Sequence, residues 1–128
     1  MSDPVTVKTA GVGSPVFGTD REVVGHVVLL DLDGADSETA VETARAVDGP
    51  AVVCRSSGDG WHVVGLRPRP WADVLDVIRE HSEPEHAATA EGEQRATLRV
   101  KPKWDAETGE VVTPAPVPVE VVNGDGPV

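Results

Sequence analysis

The stretch Val27-Val28-Leu29-Leu30-Asp31-Leu32-Asp33-Gly34 is an apolar run that ends in two carboxylates one residue apart. Upstream of it Val23 and Val24 are also aliphatic, with only Gly25 and His26 intervening, so the pattern predicts a central strand over 22–32. Strand side chains alternate between two faces, which puts Val28, Leu30 and Leu32 on one face and Val27, Leu29, Asp31 and Asp33 on the other. Two carboxylates at the end of a buried strand suit Mg²⁺ or Mn²⁺, because hard cations take oxygen ligands. A plain turn with solvated acids carries the same residues.

Working outward, residues 1–21 hold scattered Gly, Ser, Pro and Thr and read as an irregular arm with a short strand near Val5-Thr6-Val7. After the strand, Asp36 or Ser37 caps a helix in which Ala40, Val41, Ala44 and Val47 recur at helical spacing, and Gly49-Pro50 stops it. Ala51-Val52-Val53-Cys54-Arg55 is a second strand. Ser56-Ser57-Gly58-Asp59-Gly60 has the chemistry of a tight turn, and Trp61-His62-Val63-Val64-Gly65-Leu66 is the returning strand. A second helix starts at Pro70, with Trp71, Val74, Leu75 and Ile78 on one stripe. Residues 82–94, acidic and Ala-rich, form either a loop or a short helix. Arg95 to Lys101 then alternates cleanly, with Ala96, Leu98 and Val100 on one face and Arg95, Thr97, Arg99 and Lys101 on the other. Trp104 to Gly109 turns the chain into a short strand at 110–112, and 113–128 is a Pro/Val-rich tail, either an extended edge or frayed.

A chain of 128 residues allows one domain with a modest core. Its formal net charge of −11 with only three lysines resembles the surface of a protein from a salt-in halophile, where acidity serves solubility; an ordinary acidic cytosolic protein is the alternative. Cys54, the single cysteine, can form no internal disulfide and reads as a buried inert thiol. No signal peptide or membrane-spanning run is visible, which points to a cytoplasmic protein with no membrane partner. His26, His81 and His86 lack ligand spacing and take structural or surface roles. Trp71 belongs to the core and Trp104 to hairpin packing.

Strand, helix, strand, strand, helix, strand is the order of the ferredoxin-like α+β fold, here with a C-terminal β-hairpin extension. In that topology the first and third strands are central neighbours and the fourth flanks the first. Two helices cover one face, leaving Asp31, Asp33, His62, Arg95, Thr97, Arg99 and Lys101 together on the other. Four of the eleven basic residues lie between Arg95 and Lys103 with no acid among them. Such a strip suits a polyanion, a nucleoside triphosphate or a nucleic acid backbone.

Leu29-Leu30-Asp31-Leu32-Asp33 followed by Ser57-Gly58-Asp59-Gly60-Trp61-His62 resembles the first two motifs of the archaeo-eukaryotic primase (primase-polymerase) superfamily, over about residues 22–112. The resemblance implies an RRM-like core and a DNA primase-type nucleotidyltransferase of plasmid or viral DNA replication. It implies that Asp31 and Asp33 hold divalent metal, that His62, with Ser57, Gly58 and Gly60, meets the phosphates of the incoming nucleoside triphosphate, and that Arg99 and Lys101 contact triphosphate or template. Arg95 and Lys103 would bind DNA, or RNA, and Trp61 could stack on a base. The family's third acidic motif has no counterpart in Leu98-Arg99-Val100-Lys101; Glu91, Glu93 and Asp105 are nearest. A minimal enzyme completed by a further replication protein and a non-catalytic nucleic-acid-binding module on the same sheet are therefore the two readings. Haloacid-dehalogenase phosphatases share Asp-x-Asp-Gly, but the residue after the Gly, the parallel sheet and the later acidic pair of that family are missing.

Overall fold

The computed structural model describes residues 7–8, 11–56 and 60–123. In chain order the elements are β1 (Val7–Lys8), β2 (Gly11–Gly13), β3 (Pro15–Phe17), β4 (Val23–His26), β5 (Leu29–Leu32), α1 (Ser37–Ala46), β6 (Ala51–Arg55), β7 (Trp61–Gly65), α2 (Trp71–His81), α3 (Pro84–Glu93), β8 (Thr97–Arg99), β9 (Lys103–Asp105), β10 (Val111–Thr113) and β11 (Val117–Val122). The fold is thus α+β, with three helices and antiparallel strand pairing throughout among the described residues. Among the described residues no helix is long and apolar enough to cross a membrane.

The main sheet runs β11-β6-β7-β5. Leu30 opposes Val63 on β7, and Val63 opposes Val53 on β6. All three are fully buried, in one core with Ala40 and Ala44 of α1 and Val74 and Ile78 of α2. The period-two and period-3.6 patterns therefore meet where the sequence placed them. Helix α1 begins where Asp36 Oδ1 accepts the Thr39 N–H at 2.8 Å. That bond holds the Asp36 carboxyl below its ordinary range. Gly49, at φ +99°, ends the turn that Pro50 follows.

The stretch 22–32 is two strands rather than one. His26 exchanges backbone hydrogen bonds with Arg69 at 2.8 and 2.9 Å, while Val28 O accepts the Gly65 N–H at 2.7 Å. The chain changes partners between these residues, so β4 pairs with β3 and β5 with β7. Residues 84–93 form the short helix α3, with Pro84 in its first turn and Gln94 closing it in the left-handed region at φ 58°. The arm before residue 21 is less irregular than its composition suggests, contributing β1, β2 and β3.

The fourth strand departs most from expectation. Only Thr97–Arg99 is extended, and its ladder is with β2, although it lies beside β5. The cause is that β5's outer edge is already satisfied. Ser82 Oγ accepts the Asp31 N–H at 2.9 Å and lies 3.1 Å from Asp31 O, to which Glu83 N–H donates at 2.9 Å. Glu83 Oε1 accepts the Asp33 N–H at 2.9 Å, and His86 Nε2 lies 2.8 Å from Leu29 O. The α2–α3 junction thus occupies the positions a fourth strand would fill. Gly11 permits the alternative pairing, since a Cβ there would stand 2.7 Å from Leu98 O.

At the C-terminus β9 and β10 form the expected hairpin, with Asp105 Oδ1 accepting the N–H groups of Glu107 and Thr108. The described part of the tail is an edge strand: β11 pairs with β6 and its end is anchored by Asn123, whose side-chain amide faces Arg45 O, Val47 O and Gly49 O at 3.2–3.4 Å. Asn123→Ala leaves the carbonyls at the end of α1 and in the turn after it without this donor and is expected to cost about 1 kcal/mol in chemical denaturation.

Candidate functional site

The end of β5 and the start of β7 bring Asp31 and His62 into register as cross-strand neighbours. Asp31 Oδ1 lies 3.7 Å from His62 Nε2. Both line a cleft of about 310 Å³ together with Asp33, Ser56, Thr97, Leu98, Arg99, Lys103 and Thr113. The two carboxylates, the histidine and two of the basic residues singled out in the sequence therefore share one concavity. The face bearing them is not an open sheet: Leu29, on the same side as Asp31, is fully buried, and β8, β9 and β10 supply the cleft's far wall. On the opposite parity Ala96 and Leu98 are buried as expected, whereas Val100 is 47% exposed because β8 ends at Arg99.

Burial pushes the Asp31 carboxyl up, and the nearby Glu83 charge adds to this, against the pull of His86, Lys103 and Arg99. His62, buried to 6% exposure, is pushed down to about 4 by desolvation first and then by Arg99 and His86, with Asp33 opposing. At neutral pH the imidazole is uncharged, so its approach to Asp31 is a polar contact and not an ion pair. Any positive charge facing an anion in this cleft belongs to Lys103 and Arg99. The Arg99 guanidinium is partly committed, since its Nη1 donates to Lys101 O at 2.6 Å and Pro114 O at 2.9 Å, tying β8 to the segment before β11.

Other residues fall elsewhere. Arg95 lines a second groove of about 440 Å³ with Gly11, Val12 and Gly13, contiguous with the first through Thr97, Leu98 and Arg99. Lys101 is exposed and does not line the cleft. Ser57 and Gly58, with Asp59, lie outside the described residues, while Gly60 is buried and its carbonyl accepts the Ser56 N–H at 2.9 Å. Trp61 corrects the expectation of a base platform: it is buried in the core, and its indole N–H donates to Ala35 O at 3.1 Å. Cys54 is half-buried, with burial raising its thiol.

None of the three acids considered for a third motif lines the cleft. Glu91 pairs with Arg79 at 2.5 Å and Asp105 is spent on its turn. Among the described residues no group of three or more His, Cys, Asp or Glu side chains is placed to hold a metal ion. Sequence reading missed Glu83 and gave His86 only a structural or surface role; both grip β5 and act on the Asp31 charge, second to its burial. The Ser82-Glu83-Pro84 signature of a helix start was the available signal. Searches against protein-family models, curated proteins and solved structures found no match for this chain.

Proposed function

We propose that the Asp31–His62 cleft binds a nucleoside triphosphate with Mg²⁺ or Mn²⁺, as the nucleotide site of a primase-polymerase-like nucleotidyltransferase acting on DNA. The observation that carries the reading is the convergence of Asp31, Asp33, His62, Arg99 and Lys103 on one cleft. The donor set fits Mg²⁺ in the form that uses one or two protein carboxylates and takes its remaining oxygens from substrate phosphates and water. A bound divalent ion would supply charge neutralisation at the phosphates and activation of an attacking hydroxyl. The chain's own part is plain: Asp31 and Asp33 offer the ligands, Lys103 and Arg99 face the phosphates, and neutral His62 accepts or donates one hydrogen bond. The strand order β6-β7-β5 with α1 and α2 on one face supports an RRM-like core in which β8 is displaced from its usual ladder.

The test is a titration of Mn²⁺ and a labelled nucleoside triphosphate at high salt, for the natural chain and for a double variant Asp31→Ala, Asp33→Ala. Metal-dependent nucleotide binding is expected, weakened roughly 100-fold in the variant, equivalent to about 2.7 kcal/mol. Absence of both metal and nucleotide binding in the natural chain would end this reading. The groove holding Arg95 and Arg99 favours the second one, a nucleic-acid-binding module without catalysis, which predicts salt-sensitive binding of oligonucleotides that persists in the double variant.

A conservative change separates site from scaffold. Asp31 carries a desolvated charge, so Asp31→Asn is expected to raise the thermal midpoint while weakening metal-dependent nucleotide binding. A lowered midpoint would mean that Asp31 serves the fold instead.

A further inference from the structure

The main sheet ends at β11, which pairs with β6 on one side and with no other strand among the described residues. Val117, Val119 and Val121 are 57%, 54% and 61% exposed. Bare edges of this kind are usually protected by lysines, inward charges, prolines or bulges. Here Pro118 and a register shift between Pro118 and Glu120 disturb the first half, while 119–122 carries no basic residue. The two faces of this edge differ. Glu120, opposite fully buried Val53, turns toward α1, where a groove of about 300 Å³ also holds Glu38, Glu42, Val41 and Arg45. Val121, opposite Val52, is on the other face.

We propose that β11 is a docking edge for an extended basic segment of a partner protein, which adds as a further strand. Its alternate lysines or arginines would face Glu38, Glu42 and Glu120, and the aliphatic residues between them would lie beside Val121. Charge selects this occupant. Three carboxylates against one guanidinium repel a nucleic acid, and a second copy would bring the same acids together in a chain of net charge −11. This inference is independent of the nucleotide site.

The probe is a short synthetic peptide alternating lysine and valine, titrated into the isotope-labelled full chain by NMR at the lowest salt that keeps it folded, since exposed charges are screened. Shifts are expected to concentrate on 117–122 and on the exposed side of α1. In a Glu42→Lys, Glu120→Lys variant the Kd is expected to rise roughly tenfold. A peptide N-methylated at every residue should fail to bind, because strand addition needs the backbone N–H groups of whichever edge meets β11. Both substitutions replace exposed side chains, and an unchanged thermal midpoint verifies the variant's fold. No binding, shifts spread over other acidic surfaces, affinity indifferent to charge reversal, or self-association of the chain through β11 would each overturn the proposal.

Discussion

Leu30→Ala is expected to remove about 3–5 kcal/mol of stability, a large part of the roughly 5–15 kcal/mol that a domain holds in total. Leu30 is fully buried on the helix side of β5, cross-strand from Val63 and in the same cluster as Val74 and Ile78. Truncation there removes transfer free energy and leaves a cavity. Strand β5 is held on one side by β7 and on the other by Ser82, Glu83 and His86, so it cannot readily shift to fill the space. Val121→Ala, on an exposed edge, is the control and should change stability by less than about 0.5 kcal/mol. Urea denaturation of both variants at constant salt measures the contrast. Equal small effects would mean that the core does not centre on this strand. Because β5 also carries Asp31, Leu30→Ala should weaken ligand binding at temperatures well below its midpoint only to the extent that β5 loosens.

Much of this architecture is legible in the sequence because it depends on local periodicity. The α1 cap at Asp36, the stop at Gly49-Pro50, the stripe of Val74, Leu75 and Ile78, and the hairpin pairing of Cys54 with His62 all follow from spacing and turn chemistry. Partner choice was not legible. The alternation from Arg95 to Lys101 announces a strand without saying which neighbour takes it. The neighbour proved to be β2, whose Gly11-Val12-Gly13 has little strand propensity of its own, because the α2–α3 junction had already taken β5's edge. Likewise, a largely aliphatic pattern over 22–32 conceals the change of partners at His26 that Arg69 and Ser14, distant in sequence, impose.

For the site the same division holds. Asp31 with His62 follows from hairpin and sheet register, so their meeting could be anticipated; Glu83 and His86 act on Asp31 from the α2–α3 junction and the first turn of α3 without lining the cleft, so their influence could not. Trp61 misled because its position next to a turn suggests exposure, whereas the strand's parity sends its ring inward toward Ala35. Its burial leaves the cleft without an aromatic platform from β7, and any affinity for a nucleotide must come chiefly from metal, charge and hydrogen bonding at the phosphates.

Acidification is expected to destabilise the chain through His62, with the loss confined to the window between the ordinary histidine value of 6.5 and its folded value of about 4. The sign follows from proton uptake. Above pH 6.5 neither state is protonated and the group contributes no pH dependence. Between the two values the unfolded chain takes up a proton that the folded one refuses, so unfolding gains free energy as pH falls, approaching about 3 kcal/mol near pH 4. His26, whose pKa burial also lowers while its Nδ1 faces Ser14 Oγ at 2.9 Å, acts in the same direction. Asp31 acts oppositely: its raised carboxyl binds a proton more readily in the folded state and restores stability at the acid end. His62→Gln isolates the contribution, because denaturation free energies of the natural chain and the variant should converge as pH falls from 7 toward 4.5, by about 2–3 kcal/mol. Parallel curves would show that His62 titrates as an ordinary exposed histidine and that the cleft is wetter than its burial implies. The same residue then reports on a bound nucleotide: a phosphate seated beside Arg99 offsets the guanidinium charge that, after burial, depresses His62. A nucleoside triphosphate is therefore expected to raise the imidazole's pKa, visible as a shift of its NMR titration toward neutral pH, whereas a metal ion alone should lower it further.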